Sequence, residues 1–442
     1  MTNKVKPYAG IALAILLIAG CSHTADETRT WIHQNEPIVF NPDGGWCWFQ
    51  DERGLIDNGR LVFGSVSSAG DIIVTHYELG TGQRDTLNIH PRLQQNDHAQ
   101  PALMKRPDGR YLMAYSAHNG PHAYSRISSE PGDPTRWLPA EEVDVGDRAT
   151  YSNLYHLTGN DRTYNFHRGI GWHPNVMVSD DQGDSWQYGG RLFAEEGHRP
   201  YMRYASDGSD RIHFITTDGH PRVFANSIYH GYIENDRIFT STGTGLGRID
   251  GPDTGRTTSD FTRIFEGDDD NVAWTSDIQL DEEGYPYIGY SVTKDRIGAG
   301  EGGMDHRYRY ARWDGNRWND FEIAYAGRRL YPREDAYTGL IALHPDNPDM
   351  VYISTDAHPE TGEPLISSAD GERHYEIWQG LTSDRGATWT WRAVTGHSES
   401  DNIRPYIVSD GNDWAVLWLR GAYRTYTDYN LEVVGAVSRA AL

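Results

Sequence analysis

The chain has 442 residues, with 63 acidic against 40 basic side chains and a formal net charge of −23. Such an acidic balance argues against a nucleic-acid partner, for which a basic surface is expected. It leaves room for an anionic substrate in a local basic cleft, because charges more than about 10 Å apart are largely screened in salt. The length suits one large β domain or two smaller ones.

The first 21 residues have the pattern of an export signal. Lys4 and Lys6 precede the apolar run "YAGIALAILLIAG", which is too short to cross a bilayer and ends at Cys21. Because "LIAGC" resembles a bacterial lipobox, we expect lipidation of Cys21 and a polar tether over residues 22–35. The alternative is a plain secretory signal with a chance cysteine. Either way the protein is expected to be exported, as an outer-membrane lipoprotein or a secreted or periplasmic protein, with membrane contact only through the anchor.

From residue 36 onward, short alternating runs recur between turns rich in Gly, Asp, Asn and Pro, and helical periodicity is almost absent. The turns "RPDGR", "TGND", "SDGSD", "DEEGYP", "HPDNPD" and "SDGND" resemble one another and recur about every 50 residues, with one longer step. The pattern predicts that residues 36–442 form a single all-β domain, a seven-bladed β-propeller with four-stranded antiparallel blades.

The two ends of the repeat are irregular. The first unit is predicted to start near "WCWFQDERG", and the last shows only three strands. The isolated N-terminal strand "EPIVF" is predicted to supply the missing strand and close the ring.

Two turns strengthen the propeller prediction. Residues 179–186, "SDDQGDSW", and 382–389, "TSDRGATW", both fit the Asp-box pattern of sialidase-like propellers, which lies between the third and fourth strands of a blade. In this turn the Asp accepts backbone N–H groups and the Gly adopts a left-handed conformation. Since the third and fourth strands then meet on one face, a binding site is expected on the opposite face, where first strands begin and second strands end.

Counting outward from the hairpin turns predicts which residues meet on that face. A turn centred on Gly159–Asn160 places Tyr151 opposite Arg168, and a turn centred on Asp108 places His98 opposite His118. Residues paired in this way have Cβ atoms about 4.5–5.5 Å apart. Two neighbouring blades therefore each present an ionisable pair, and these four residues are the predicted catalytic set.

The same face should carry further substrate-binding residues. In the fourth unit the count places Arg199 opposite Asp218, for which a simple surface salt bridge is an equal alternative. The other candidates lie in equivalent strand starts or connections: Tyr201, Arg404, Trp172 and His173.

The predicted set suits β-elimination across a uronic acid. That reaction removes the C5 proton beside a carboxylate and expels the oxygen at C4. Arg168 can neutralise the carboxylate through a bidentate contact. A histidine titrates near neutral pH and a tyrosine can act as acid, or as base if an arginine lowers its pKa. The set does not suit the usual glycosidase mechanism, which needs two carboxylates, because it contains no carboxylate pair.

The motifs "NDHAQPAL", "SAHNG", "TYSNLYHL", "YNFHRG", "RHYEIWQG" and "DNIRPY" resemble those of the propeller polysaccharide lyases, above all the ulvan lyases of polysaccharide lyase families 24 and 25. The resemblance spans nearly the whole mature chain. It implies a cleft on one face and cleavage of ulvan, and it assigns the two histidines, the tyrosine and the arginine to His98, His118, Tyr151 and Arg168. We favour Tyr151 and His98 for proton transfer and His118 in support.

Catalysis is expected to need no cofactor. The resemblance allows a structural zinc or calcium ion, for which His358, His374 and Cys47 are weak ligand candidates, and we expect a monomer. Two other functions stay open. A sialidase-like glycoside hydrolase would need three arginines, such as Arg168, Arg199 and Arg404, and a Tyr–Glu pair, and no obvious glutamate joins Tyr151. A non-catalytic glycan-binding propeller would keep aromatic platforms without the catalytic set.

Overall fold

The computed structural model describes residues 1–2, 36–249, 255–296 and 302–439. The predicted export signal and tether, including Cys21, lie outside these residues except for the first two. The compact unit that begins at Glu36 contains thirty described β-strands in seven antiparallel sheets. Its described helices are three short 3-10 turns, Asp97–Ala99, Ile170–Trp172 and Thr258–Asp260. None of the helices in the described part of the chain is long and apolar enough to span a membrane.

The first three blades follow the predicted four-stranded plan, with their strands paired in chain order. Blade one comprises β2 (Gly54–Asp57), β3 (Arg60–Val66), β4 (Ile72–Glu78) and β5 (Arg84–His90). Blade two comprises β6 (Ala102–Lys105), β7 (Tyr111–Ser116), β8 (Ala123–Ile127) and β9 (Glu141–Val143). Blade three comprises β10 (Thr150–Leu157), β11 (Arg162–Arg168), β12 (Pro174–Ser179) and β13 (Gln187–Arg191).

Blade four departs from the plan because it has six strands. They are β14 (Met202–Ser206), β15 (Arg211–Thr216), β16 (Ile228–Glu234), β17 (Arg237–Thr240), β18 (Gly245–Arg248) and β19 (Thr262–Phe265). The last two come from the connection between β17 and the first strand of blade five. They extend the outer part of the sheet, since β18 pairs with β17 and β19 pairs with β16.

Blades five and six again have four strands each. Blade five comprises β20 (Val272–Leu280), β21 (Pro286–Thr293), β22 (His306–Trp313) and β23 (Trp318–Gly327), and blade six comprises β24 (Ile341–His344), β25 (Asn347–Thr355), β26 (Glu376–Leu381) and β27 (Thr390–Ala393). Blade seven comprises β28 (Asp401–Ser409), β29 (Trp414–Thr425), β30 (Asp428–Ser438) and the N-terminal β1 (Ile38–Asn41).

The seven-bladed prediction is confirmed. The first strand of each blade contacts the first strand of the next, and β28 contacts β2, so the blades form a closed ring. The strand "EPIVF" supplies β1, which pairs antiparallel with β30 as predicted. Closure of this kind joins the two ends of the domain in one sheet and leaves only short outer edges.

The segment Trp46–Arg53 does not begin blade one as predicted; it fills the centre of the ring. We call it the central segment. Its Trp48 ring lies 5.2 Å from Trp274 of blade five and 5.2 Å from Tyr337, just before blade six. Its backbone accepts hydrogen bonds from the innermost strands of blades two and three, at Leu103 and Leu154. A segment that contacts so many blades can lie only along the propeller axis.

Both predicted Asp-box turns lie between the third and fourth strands of their blades. In the first, Asp181 accepts hydrogen bonds from the Ser185 amide at 2.8 Å and the Ser185 hydroxyl at 2.5 Å. Gly183 has φ +95°, a conformation that strains any residue with a Cβ. Trp186 then donates from Nε1 to Ser125 Oγ of blade two at 3.3 Å. The turn therefore connects neighbouring blades.

Removal of the largest side chain of the central segment should destabilise the whole ring. Trp48 is 1% exposed, and we expect Trp48→Ala to lower the free energy of unfolding by about 3–5 kcal/mol. The matched control is Trp172→Ala, at a tryptophan that is 39% exposed, where the loss should stay below about 1 kcal/mol. Thermal and urea unfolding measure both, and equal losses would contradict the central role of this segment.

Candidate functional site

The predicted hairpin register holds near the turns and fails in two places. The pairs Ala102↔Ala114 and Leu157↔Arg162 agree with the turn centres predicted for blades two and three. Where β10 begins and β11 ends, a β-bulge shifts the pairing, so that Thr150, not Tyr151, lies opposite Arg168. In blade four the register is displaced by one residue throughout, because Met202 pairs with Thr216. The predicted Arg199–Asp218 pairing was therefore wrong.

The structure nevertheless brings the four predicted catalytic side chains together. The imidazoles of His98 and His118 stack with centroids 4.3 Å apart and planes at 18°. The Tyr151 ring stacks on His98 at 5.5 Å, and the Arg168 guanidinium carbon lies 4.9 Å from the Tyr151 ring centroid. Neither histidine is on a strand: His98 lies in a 3-10 turn before β6, and His118 follows β7.

The bulge explains how Tyr151 reaches the cluster. Tyr151 has φ +70°, in the left-handed region that a bulky residue rarely adopts. The extra residue turns its side chain toward the ring centre, where the ring lies 5.3 Å from Phe49 of the central segment. Such strain at a non-glycine residue is often found at functional positions.

A buried chain of polar groups fixes the orientation of His98. His98 Nδ1 lies 2.6 Å from Asp97 Oδ1, and the other oxygen, Oδ2, accepts from Arg404 Nη1 at 2.6 Å and from the Tyr423 hydroxyl at 2.8 Å. Burial alone would raise the pKa of the Asp97 carboxyl, but Arg404 and His98 lower it to about 2. Since the carboxylate can only accept, His98 carries its proton on Nδ1 and leaves Nε2 as a lone pair.

His118 contacts both Asn96 and Arg168. The Asn96 side-chain oxygen accepts the His98 backbone N–H at 3.0 Å, which turns the Asn96 amide nitrogen toward His118 Nδ1 at 3.1 Å. Arg168 Nη2 lies 3.3 Å from His118 Nε2 and can only donate, so Nε2 is the acceptor of that hydrogen bond. His118 therefore helps to hold the Arg168 guanidinium in place.

Burial sets the protonation states of the site. It lowers the pKa of His98, against the opposing effect of Asp97. Burial, together with His98 and Arg168, lowers the pKa of His118 to about 2. It raises the pKa of the Tyr151 phenol well above 10, and Arg168 only partly offsets this effect. At neutral pH the site therefore holds two neutral imidazoles and a protonated phenol.

Arg168 is buried without a carboxylate partner. The side chain is 6% exposed, and no ion pair among the described residues involves it. Its Nε and Nη1 groups have no hydrogen-bond partner in the described part of the chain. The cleft beside it, of about 210 Å³, is lined by Arg148, Thr150 and Trp172 among others. A desolvated cation in an open cleft is a strong attractant for an anion.

The predicted substrate-binding residues fall into two groups. Trp172 is exposed at the cleft, with the guanidinium carbons of Arg168 and Arg199 lying 5.3 and 5.7 Å from its ring centroid. Tyr201 lies on the other side of Arg168, at 5.3 Å. These three residues adjoin the predicted catalytic cluster.

His173 and Arg404 do not have the exposed positions that the sequence suggested. His173 is 8% exposed, and its Nε2 donates to the Glu195 carbonyl at 2.8 Å, so it supports the connection that follows β13. Arg404 is fully buried beneath Asp97. The three arginines of the sialidase-like alternative therefore do not meet in one cleft.

The candidate metal ligands are also dispersed. His374 pairs with Asp370 at 2.8 Å, and the His358 ring contacts Trp378. Cys47 lies beside Asp97 and His98, with one donor atom of each within 4.8 Å of the others. This trio fits a metal poorly, because Asp97 is already engaged by Arg404 and burial raises the pKa of the Cys47 thiol to about 12.

Sequence reasoning missed Asp97, Asn96 and Tyr426. Asp97 precedes His98 in the sequence, but the sequence does not show that its carboxylate folds back onto the imidazole. Tyr426 lies at the tip of the hairpin between β29 and β30. Its backbone carbonyl accepts a hydrogen bond from the Asp97 amide at 2.9 Å. Its ring meets His98 edge-on at 5.1 Å, a contact across the closed ring that has no local signal.

Comparison with known proteins agrees with this architecture. Residues 63–326 match the model of a family described as "BNR repeat-containing family member", and the chain belongs to that family. No functionally curated protein is similar enough in sequence to match.

Several solved structures share the fold. One is a PL25 ulvan lyase bound to -[GlcA(1-4)Rha3S]-, with 14% identity, coverage of 92% of this chain and 98% of that chain, and a TM-score of 0.67. Another is the polysaccharide lyase Uly1, with 11% identity, coverage of 94% of each chain and a TM-score of 0.59. A third is the BP39L lectin from Burkholderia pseudomallei, with 11% identity, coverage of 91% and 98%, and a TM-score of 0.51.

The protonation states can be tested directly. Burial lowers the pKa of His118 to about 2, so its imidazole NMR signal should stay constant as the pH falls from about 8 to about 5.5. Burial also lowers the pKa of His98, so its signal should titrate below the ordinary histidine value near 6.5. His374 is the internal control: although burial opposes it, Asp370 and Asp401 raise its pKa, so it should titrate at higher pH. A His98 signal that titrates near pH 6.5 would contradict this account.

Proposed function

We propose that the protein is a polysaccharide lyase that cleaves ulvan, an anionic polysaccharide containing uronic acid, by β-elimination. The observation that carries the proposal is a cluster of contacting side chains: a neutral His98 with a free Nε2, a protonated Tyr151 and a buried Arg168 without a counter-ion among the described residues. The likeness in fold to the PL25 ulvan lyase and to Uly1 supports it.

In this mechanism the substrate carboxylate lies against Arg168, whose Nε and Nη1 groups have no hydrogen-bond partner among the described residues. The remaining nitrogen, Nη2, donates to His118 Nε2 at 3.3 Å, which holds the guanidinium in place. Neutralisation of the carboxylate charge makes the C5 proton more acidic. Trp172 offers an exposed ring at the cleft for the neighbouring sugar.

His98 Nε2 then takes the C5 proton, the C5–H electron pair forms the C4–C5 double bond, and the C4–O bond breaks. The leaving oxygen takes the proton of the Tyr151 hydroxyl, since the raised pKa of that phenol keeps it protonated and leaves it able to donate but not to act as a base. The products are a 4,5-unsaturated uronic acid and a new reducing end. The imidazolium of His98 is stabilised by Asp97. Transfer of the proton taken from C5 to the Tyr151 phenolate restores both side chains and completes the cycle.

The first test is incubation with ulvan. A gain in ultraviolet absorbance from the new double bond supports elimination, new reducing ends without it indicate hydrolysis, and neither product indicates glycan binding alone or another polysaccharide. Ulvan binding without turnover would favour the lectin-like alternative, whose fold is represented by BP39L.

Tyr151→Phe and His98→Ala should each reduce double-bond formation by roughly 100- to 10,000-fold, because each removes one partner of the proton transfer. The control is Tyr155→Phe on the same strand, whose hydroxyl bonds to the Tyr204 carbonyl at 3.0 Å away from the cleft. That variant should keep full turnover. Near-normal turnover in Tyr151→Phe and His98→Ala would refute the site.

Asp97 acts as a positioning residue. Because its carboxylate raises the pKa of His98, Asp97→Asn should lower turnover and move the acidic limb of the kcat/KM profile to lower pH. The substitution also leaves Arg404 buried without a counter-ion, at a cost of about 3–5 kcal/mol, so the assay must run below the unfolding transition.

Tyr423→Phe is the matched control for Asp97→Asn. It removes one hydrogen bond to the same carboxylate, which costs about 1 kcal/mol, and should leave the acidic limb in place. If both variants shift the pH profile equally, or neither does, Asp97 has only a structural role.

A further inference from the structure

A second cavity, of about 210 Å³, lies between blades four and five. Tyr285 and Gly315 border it in the turns that join β20 to β21 and β22 to β23. Those turns lie on the face opposite the catalytic cluster, which is built where first strands begin and second strands end. The cavity is therefore separate from the proposed active site.

Aromatic side chains form its walls and floor. Tyr285 is exposed, whereas Trp313 and Tyr232 are mostly buried. The Tyr232 ring stacks on Phe239 at 5.1 Å and on His213 at 5.3 Å. An exposed ring beside a polar floor gives a ligand both an apolar surface and hydrogen-bonding groups, the usual composition of a small-molecule site.

The floor carries a polar atom that has no partner. His213 is 5% exposed and lines the cavity. Its Nδ1 bonds to His230 Nε2 at 3.1 Å, and His230 Nδ1 bonds to Ser241 Oγ at 2.7 Å. No hydrogen bond of His213 Nε2 is present among the described residues. This nitrogen belongs to a mostly buried side chain and is the polar atom that the cavity leaves available.

The chain of hydrogen bonds can run in either direction. If Ser241 donates to His230, then His213 Nε2 carries a proton; if His230 donates to Ser241, then His213 Nε2 is an acceptor. Ser241 also accepts from Trp318 Nε1 at 3.0 Å, which both arrangements permit. A group that can donate or accept suits a hydroxyl, which can do the same.

The charge at the rim is balanced. Arg211 borders the cavity with its guanidinium carbon 5.0 Å from the Tyr232 ring centroid, but its Nε lies 3.5 Å from a Glu234 carboxylate oxygen. Burial and Arg211 lower the pKa of His213 to about 4, so it is neutral at physiological pH. The cavity therefore favours a neutral ligand rich in hydroxyl groups over an anion.

We propose that this cavity is a non-catalytic carbohydrate site that holds one neutral pyranose residue. The apolar face of the sugar packs on the Tyr285 ring, and one hydroxyl bonds to His213 Nε2. A site on the opposite face adds a second point of attachment to a glycan chain, and two linked weak contacts bind more tightly than either alone. The proposal does not depend on the reaction at the catalytic cluster.

The test is saturation-transfer NMR on the full-length protein with methyl α-L-rhamnopyranoside and methyl β-D-glucopyranoside as probes. We expect transfer to at least one probe, a loss of threefold or more in Tyr285→Ala, and retention in Tyr285→Phe, which keeps the ring. Because Tyr285 is 38% exposed, both variants should fold, which thermal unfolding verifies.

Absence of transfer to both probes would overturn the proposal, as would equal transfer in the wild type and Tyr285→Ala. Loss of the signal in Trp172→Ala with retention in Tyr285→Ala would place the sugar in the catalytic cleft and would also overturn it. None of these outcomes bears on double-bond formation from ulvan, so the two proposals can fail separately.

Discussion

The packing of the central segment along the propeller axis is the interaction on which the rest of the structure depends. A ring of seven blades leaves a channel lined by the first strands, and an empty channel would expose apolar surface to water. Trp46, Trp48 and Phe49 fill it, each no more than 2% exposed. The same residues support the site, because the Phe49 ring lies 4.8 Å from Tyr201 and 5.3 Å from Tyr151. The propeller ring and the candidate site therefore pack against the same central segment.

The segment also attaches the site through its backbone and polar side chains. The Cys47 amide donates to the Asp97 carbonyl at 3.1 Å, and the Gln50 side chain donates to the His98 carbonyl at 2.6 Å. Both bonds hold the short 3-10 turn that carries His98. Since buried backbone carbonyls are costly to leave unpaired, the central segment and this turn are expected to order together.

The sequence was sufficient for the fold because the evidence for it is local and repeated. Hairpin turns, alternation and two Asp-box patterns each recur, and closure by β1 followed from one missing strand. Counting outward from the turns also worked in blades two and three, as at Leu157 and Arg162. It failed at the bulge at Tyr151, which adds a residue that no local pattern indicates, and in blade four, where the regular pairing is displaced by one residue from the predicted turn centre.

The chemistry of the site was predictable only in part. The sequence predicted that Tyr151, Arg168 and the two histidines lie close together, but not where His98 carries its proton, because that depends on Asp97 being folded back onto the imidazole. Arg404 was predicted at the rim because its place in its blade resembles that of Arg199. Its side chain turns inward instead, since Asp97 from another blade offers a buried carboxylate. Such partners are far apart in the sequence.

Three buried arginines differ in whether a carboxylate lies beside them. Arg203 is 1% exposed and lies beside Asp51 and Asp277, and Arg404 is paired with Asp97. Burial of a guanidinium is costly, and the paired carboxylates offset that cost within the fold. Arg168 is almost as buried and has no such partner among the described residues. The cost of burying Arg168 is therefore left for an anionic ligand to offset, as the proposed function requires.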